Sequence, residues 1–277
     1  MDNRAFASAT ELSDEIRDGR IGCVELLDFF LTRAERHNPV LNAIVVWQID
    51  QARERARAAD AALARGERWG PLHGIPMTVK ESFNVAGLAT TFGNPLWKDN
   101  IAAGNGFLID RLLQAGAIVF GKTNVPYMLA DAQSYNDIYG ITNNPWDLTR
   151  SPGGSSGGEA ATLAAGLSAL GAGSDIAGSL RNPAHYCGIY GHKPSWGLIS
   201  PMTPAATSIS GSTAIAAAST RDPWPIATMV LVPTARPSST HSRASAFIAT
   251  GGRRPRRSIS IRSCSGTRTR RDTRTGA

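Results

Sequence analysis

Residues 151–166, SPGGSSGGEAATLAAG, constrain this chain more than any other stretch. Glycine and serine at that density make either a flexible linker between self-contained units or a tight loop held inside one. The segment follows Trp146-Asp147 and runs directly into a small-residue apolar stretch, expected as a helix over Ala160–Leu170 that permits close packing. A linker would separate two folding units here, whereas a rigid loop would fix Ser155 and Ser156 at one point. Composition alone leaves both readings open.

The flanking patterns define the layers. Ser8-Ala9-Thr10-Glu11 fits the S-x-x-E capping box, and Leu12 and Ile16 then share a helical face. Val24–Arg36 and Ile49–Arg65 carry the same periodicity, the second with Arg, Glu and Asp on its exposed sides. From Gly74 the pattern shortens. GIPMTVKESF reads as an apolar strand ending on Lys80-Glu81, and AIVFGKTN reads as a second strand after the helical GFLIDRLLQAG. Helix, strand, helix, strand predicts an α/β fold with a largely buried sheet.

The chain has 277 residues, enough for one large domain or two ordinary ones. It shows no run of about 18 apolar residues and no signal-peptide pattern at Met1-Asp2-Asn3-Arg4, so a cytoplasmic protein without a membrane span is expected. Cys23, Cys187 and Cys264 are too few and too scattered for a disulfide framework or a zinc site. Cys23 and Cys187 read as core residues.

Charge divides the chain. Residues 204–277 hold 12 Arg and 2 Asp with no Lys or Glu, a net of +10, which leaves −3 for residues 1–203 of the overall +7. The tail also lacks Asn, Gln and Tyr and shows no sustained helical or strand period. It reads as a disordered basic segment or as the out-of-frame translation of a GC-rich gene. Arg221-Asp222-Pro223-Trp224-Pro225, back-translated and read two nucleotides on, can encode Gly-Pro-(Leu/Met/Val)-Ala.

Three motifs could carry chemistry. Gly116–Thr123 satisfies G-x-x-x-x-G-K-T, yet its four intervening residues are apolar and read as the strand itself, and Val125-Pro126 follows within a few residues. The nucleotide-binding reading is therefore disfavoured. Lys80 is one of only four lysines and ends an apolar strand, where burial would lower its pKa from about 10.4 towards the 7 to 8 of a general base. A salt bridge is the alternative role. The third motif is Gly173–Arg181, GSDIAGSLR, a small-residue turn whose backbone N–H groups could cradle an oxyanion, with Ser179 as nucleophile or simply as a helix cap.

Together with PLHGIPMTVKE, GKTNVP, YGITNNPWDLTRSPGGSSGGEA and GSDIAGSLRNPAHYCGIYGHKPSWGL, the order and spacing of these motifs resemble the amidase signature family over roughly residues 8–202. The resemblance implies an amidase-signature fold, a mixed central β-sheet covered by helices on both faces, here incomplete at the C-terminus. It implies hydrolysis of a carboxamide C–N bond through a Ser-Ser-Lys triad and an acyl-enzyme, with Ser179 as nucleophile, Ser155 as the bridging serine after a cis peptide bond, and Lys80 as base. By the same resemblance Ile176, Ala177, Gly178 and Ser179 supply the oxyanion hole. Asp175 and Arg181 brace that loop, and Ser156 supports Lys80 by a hydrogen bond. No metal or cofactor is needed, and His73, His185 and His192 are expected to be structural. The rigid-loop reading of residues 151–166 follows.

Two departures from the family pattern stand out. Ala177-Gly178-Ser179 replaces the usual Gly-Gly-Ser, which keeps the N–H. Family members are also far longer, with a Gly-Pro-Leu/Met-Ala element some way after the KPS stretch. A frameshift near Met202–Pro204 is therefore expected, dividing an amidase-signature part, 1–203, from a basic low-complexity tail, 204–277. The expected partner is a small-molecule amide, and a homodimer and transamidation of a carrier-bound substrate are compatible with the resemblance. The rival classes are a nucleic-acid-associated basic protein, which the lack of interleaved aromatic residues disfavours, and the phosphate-loop nucleotide binder.

Overall fold

Capping chemistry starts the first helix as the sequence predicts. Glu11 N–H donates to Ser8 Oγ at 3.2 Å, and Ser8 N–H donates to Glu11 Oε2 at 2.8 Å, ahead of α1, Ala9–Arg17. The structure is a computed structural model and describes residues 3–195 together with the backbone of 227–232. The rest of the basic tail, including the Arg221–Pro225 stretch and Cys264, lies outside the described residues.

Helix α2, Cys23–Leu41, runs past the expected Arg36 and stops where Asn42 turns left-handed at φ 50°. A strand not anticipated from sequence follows, β1, Ile44–Trp47. Helix α3, Ile49–Ala64, buries Ala52, Ala56, Ala59 and Ala62 along one stripe. Strand β2, Pro76–Lys80, then helix α4, Phe107–Gln114, and strand β3, Ile118–Thr123, form a parallel crossover, with both strands entirely buried. A two-residue ladder, β4 (Tyr135–Asn136) with β5 (Gly140–Ile141), decorates the following loop.

The helix expected over Ala160–Leu170 is displaced. It is α5, Gly157–Ala164. Gly166 at φ 65° turns the chain just after it, and Leu170 opens strand β6, Leu170–Asp175. Helix α6, Arg181–Cys187, and strands β7, Tyr190–Gly191, and β8, Ala227–Val232, complete the described elements.

The sheet order is β1-β3-β2-β6-β8-β7. Its centre, β3, β2 and β6, is parallel, while β1 on one side and β8 on the other run antiparallel to their neighbours. Alternation along β2 divides its side chains between two layers. Met77 and Val79 join Leu12, Ile16, Leu26, Leu27 and Phe30 in the main core under α1 and α2. Thr78 and Lys80 point to the opposite face, where they meet the segment that opens α5. A second cluster, Ala160, Leu163, Leu180, Ala184, Cys187 and Ile189, joins α5 to α6. The fold is thus the expected mixed α/β arrangement with helices on both faces.

Candidate active site

Lys80 and Asp175 are the last residues of the adjacent parallel strands β2 and β6, held in register through Val79 opposite Ala172. Ligands of open α/β sheets bind beyond such carboxyl ends. The glycine- and serine-rich segment crosses that edge as a packed loop, with every residue from Pro152 to Leu163 buried. A Cβ at Gly154 would overlap the carbonyl oxygens of Asp131 and Gln133, and one at Gly158 would overlap the backbone of Asn124. The Gly154-Ser155 peptide bond is cis.

Lys80 is wholly buried, and its Nζ lies 2.6 Å from Ser155 Oγ and 3.1 Å from Ser174 Oγ. Burial pulls the amine down to about 7, against the opposing pull of Asp175 and Glu159. Ser156 does not bond Lys80 as expected. Its hydroxyl donates to the Ser174 carbonyl at 3.2 Å and accepts the Ser174 N–H at 3.4 Å, so it supports the lysine only through Ser174. Ser174 is the neighbour that sequence reading missed. It lies inside the quoted turn, but no spacing shows that its hydroxyl reaches Lys80.

Ser179 sits one step away, half-buried, with its carbonyl accepting the Ser156 N–H at 3.1 Å. Among the described residues no hydrogen bond joins Ser155 Oγ to Ser179 Oγ. Asp175 gathers the turn. It accepts N–H groups from Gly178, Leu180 and Arg181 and a two-pronged contact from the Arg181 guanidinium, both prongs at 3.0 Å. Burial works against its charge, but these donors outweigh it and hold the carboxyl at about 2. Gly178, expected as an oxyanion donor, therefore commits its N–H to Asp175 at 2.7 Å. Among the described residues the N–H groups of Ile176, Ala177 and Ser179 carry no hydrogen bond.

The other singled-out residues fall elsewhere. Lys122 ends inside the protein, with its Nζ donating to the Ala89 carbonyl and, at 2.9 Å, to Thr90 Oγ1. Its motif is the buried strand β3, which leaves no phosphate cradle. His73 is buried between the Trp69 N–H and the Ala59 carbonyl, His185 and His192 are exposed, and Cys23 and Cys187 are buried. No helix among the described residues is long and apolar enough to cross a membrane.

A family model described as Amidase matches residues 25–227. The chain belongs to the amidase family. Within it, this chain is 43% identical over 201 residues to an acylamidase of Rhodococcus erythropolis, covering 73% of this chain and 42% of that protein. It is 42% identical over 194 residues to a glutamyl-tRNA(Gln) amidotransferase subunit from Azoarcus sp. (strain BH72), covering 70% and 40%. Among solved structures, fatty acid amide hydrolase superposes with a TM-score of 0.72 at 32% identity over 83% of this chain and 39% of that one. The chain thus spans about two-fifths of the length of these amidase relatives.

Proposed function

We propose that this chain carries the acyl-transfer centre of a carboxamide hydrolase, with Lys80 as base, Ser155 as proton relay and Ser179 as nucleophile. The observation that carries the reading is the 2.6 Å contact between a fully buried lysine and the Ser155 hydroxyl, with the Ser179 turn bonded to the next residue. A neutral amine beside that hydroxyl can take its proton. Ser155 then takes the proton of Ser179, whose Oγ attacks the amide carbon. The proton returns through the same relay to the leaving nitrogen, and water releases the acyl group from Ser179.

The N–H groups of Ile176, Ala177 and Ser179 are the donors available to the tetrahedral oxyanion, each worth roughly 3 kcal/mol in such a hole. Asp175, Arg181 and Gly178 hold the turn that presents them. Relatives include both an acylamidase and a component of an amidotransferase, so the acyl group goes to water while the freed nitrogen is either released or passed to an acceptor supplied elsewhere.

Incubation of the full chain with a serine-directed fluorophosphonate, followed by peptide mass spectrometry, tests the assignment. Label on the peptide containing Ser179, lost in Ser179→Ala and Lys80→Ala, is expected. Label on a different serine would overturn it.

A further inference from the structure

Helix α5 is built from small and apolar residues except for one carboxylate, Glu159, which is completely buried. Burying an ionisable group in such a setting is costly unless it has a specific partner. The partners of Glu159 are placed around Lys80. Thr78, two residues before Lys80 on the same face of β2, donates to Glu159 Oε1. Thr123, the in-register neighbour of Lys80 on β3, donates to Oε2 at 2.9 Å. Across the strand on the other side, Gly171 lies opposite Thr78, and any side chain there would overlap the Glu159 carboxyl. Three strands are therefore shaped to seat this one group beside the base.

We propose that Glu159 is a positioning residue for Lys80, a carboxyl seated by three strands beside the lysine whose charge helps set the pH at which the amine becomes a base. This rests on the assignment of Lys80 as base. Ser155 and Glu159 belong to one short segment, so the same turn of chain meets the lysine at its tip and flanks it with a carboxyl.

Two acidic groups act on Lys80, Asp175 from β6 and Glu159 from α5. Asp175 is already matched by the Arg181 guanidinium and three N–H groups. The hydrogen-bond partners of Glu159 are neutral hydroxyls, and the cation acting on it is Lys80. Burial pushes the carboxyl up, while the two threonines and Lys80 oppose the rise and favour its ionised form.

The chain contains only four lysines, Lys80, Lys98, Lys122 and Lys193, so Lys80 can be followed directly in the full-length protein labelled with [ε-13C]lysine, its resonance assigned with Lys80→Met. Glu159→Gln removes the carboxylate at constant size. Loss of a carboxylate that favours the protonated amine should lower the Lys80 midpoint by about half a pH unit or more. Thr78→Val keeps the carboxyl but removes a donor to its anion, and should move the midpoint the same way. It carries the test if Glu159→Gln fails to fold. Midpoints identical to the parent overturn the proposal. The readout needs no turnover, so it is separable from the triad. A fully active Ser179→Ala would refute the triad while leaving the Lys80 shift in place, and an unmoved Lys80 with an inactive Ser179→Ala would refute only the role of Glu159.

Discussion

The carboxylate of Asp175 grips the guanidinium of Arg181 through two hydrogen bonds of 3.0 Å, and the five residues between them form the turn that carries Ser179. Arg181 is more than half exposed while Asp175 is wholly buried, so the pair joins the protein interior to its surface. Asp175 also holds three N–H groups of the turn, which would keep part of its shape without the arginine. Arg181→Ala is therefore expected to lower kcat by roughly ten- to a hundredfold, a loss of about 1.5–3 kcal/mol typical of a hydrogen bond to a charged group. Steady-state kinetics showing kcat unchanged would count against a bracing role.

Asp175 also has a pH signature. Its folded pKa of about 2 lies below the ordinary 3.8, so its stabilising contribution is complete above about pH 4 and is lost as the pH falls towards 2. Asp175→Asn should remove that part of the acid dependence. Urea denaturation between pH 2.5 and 6 is the measurement, and parallel stability profiles for parent and variant would be the contrary result.

The proposed role of Lys80 predicts a second profile. In its proposed role Lys80 must be neutral, and its pKa is drawn to about 7, so kcat/KM should rise with pH through neutrality and level off above it. Stability follows the same group with the same sign. The unfolded lysine keeps its proton up to about 10.5, so the unfolded state binds more protons between pH 7 and 10.5, and stability gains with rising pH in that window. Lys80→Met should abolish turnover and remove the stability dependence, as seen in rate assays and in melting curves across that pH range.

Ser179→Ala should lower turnover by about 10³-fold or more, as for other members of units in which a nucleophile and base act together. Ser174→Ala should behave differently. It deprives Lys80 of one of its two hydroxyl contacts and leaves Ser155, so kcat should fall by a more modest ten- to thirtyfold with KM little changed. Hydrolysis of an anilide substrate, with kcat and KM determined separately, distinguishes the two.

Gly158→Ala tests the packed loop. The added methyl meets the backbone of Asn124 rather than a side chain that could move aside, so a destabilisation of about 1–3 kcal/mol is expected. Chemical denaturation measures it, and a neutral result would show that the loop has room to relax.

Much of this architecture is legible in the residues themselves. The capping box at Ser8, the apolar runs that became β2 and β3, and the stripe of alanines on α3 each follow from local chemistry. Strand β1 is not legible, because IVVW is short, half-exposed and enclosed by helices, and it is specified by pairing with a strand more than seventy residues away. The displaced boundaries of α5 have a similar cause. Glycines are poor helix formers, yet Gly157 and Gly158 open the helix because only they fit against Ser134 and Asn124. Within the site, the lysine and serines stand out by motif. Ser174 is hidden as one small residue among several, and Gly178 looks like a donor until Asp175 is seen to occupy it. Glu159 does leave a trace, as the one charge in an otherwise small and apolar helix.

The places of Lys80 and Asp175 are set by strand register rather than by the loops that separate them, since both close adjacent parallel strands. The exposed stretch around Leu96 and Ile101 lies outside that ladder. Insertions or deletions there leave the spacing of these two strand ends unchanged. Such a scaffold uncouples variation in exposed loops from the spacing of strand ends, so the placement of Lys80 and Asp175 can be inherited unchanged while the loops diversify.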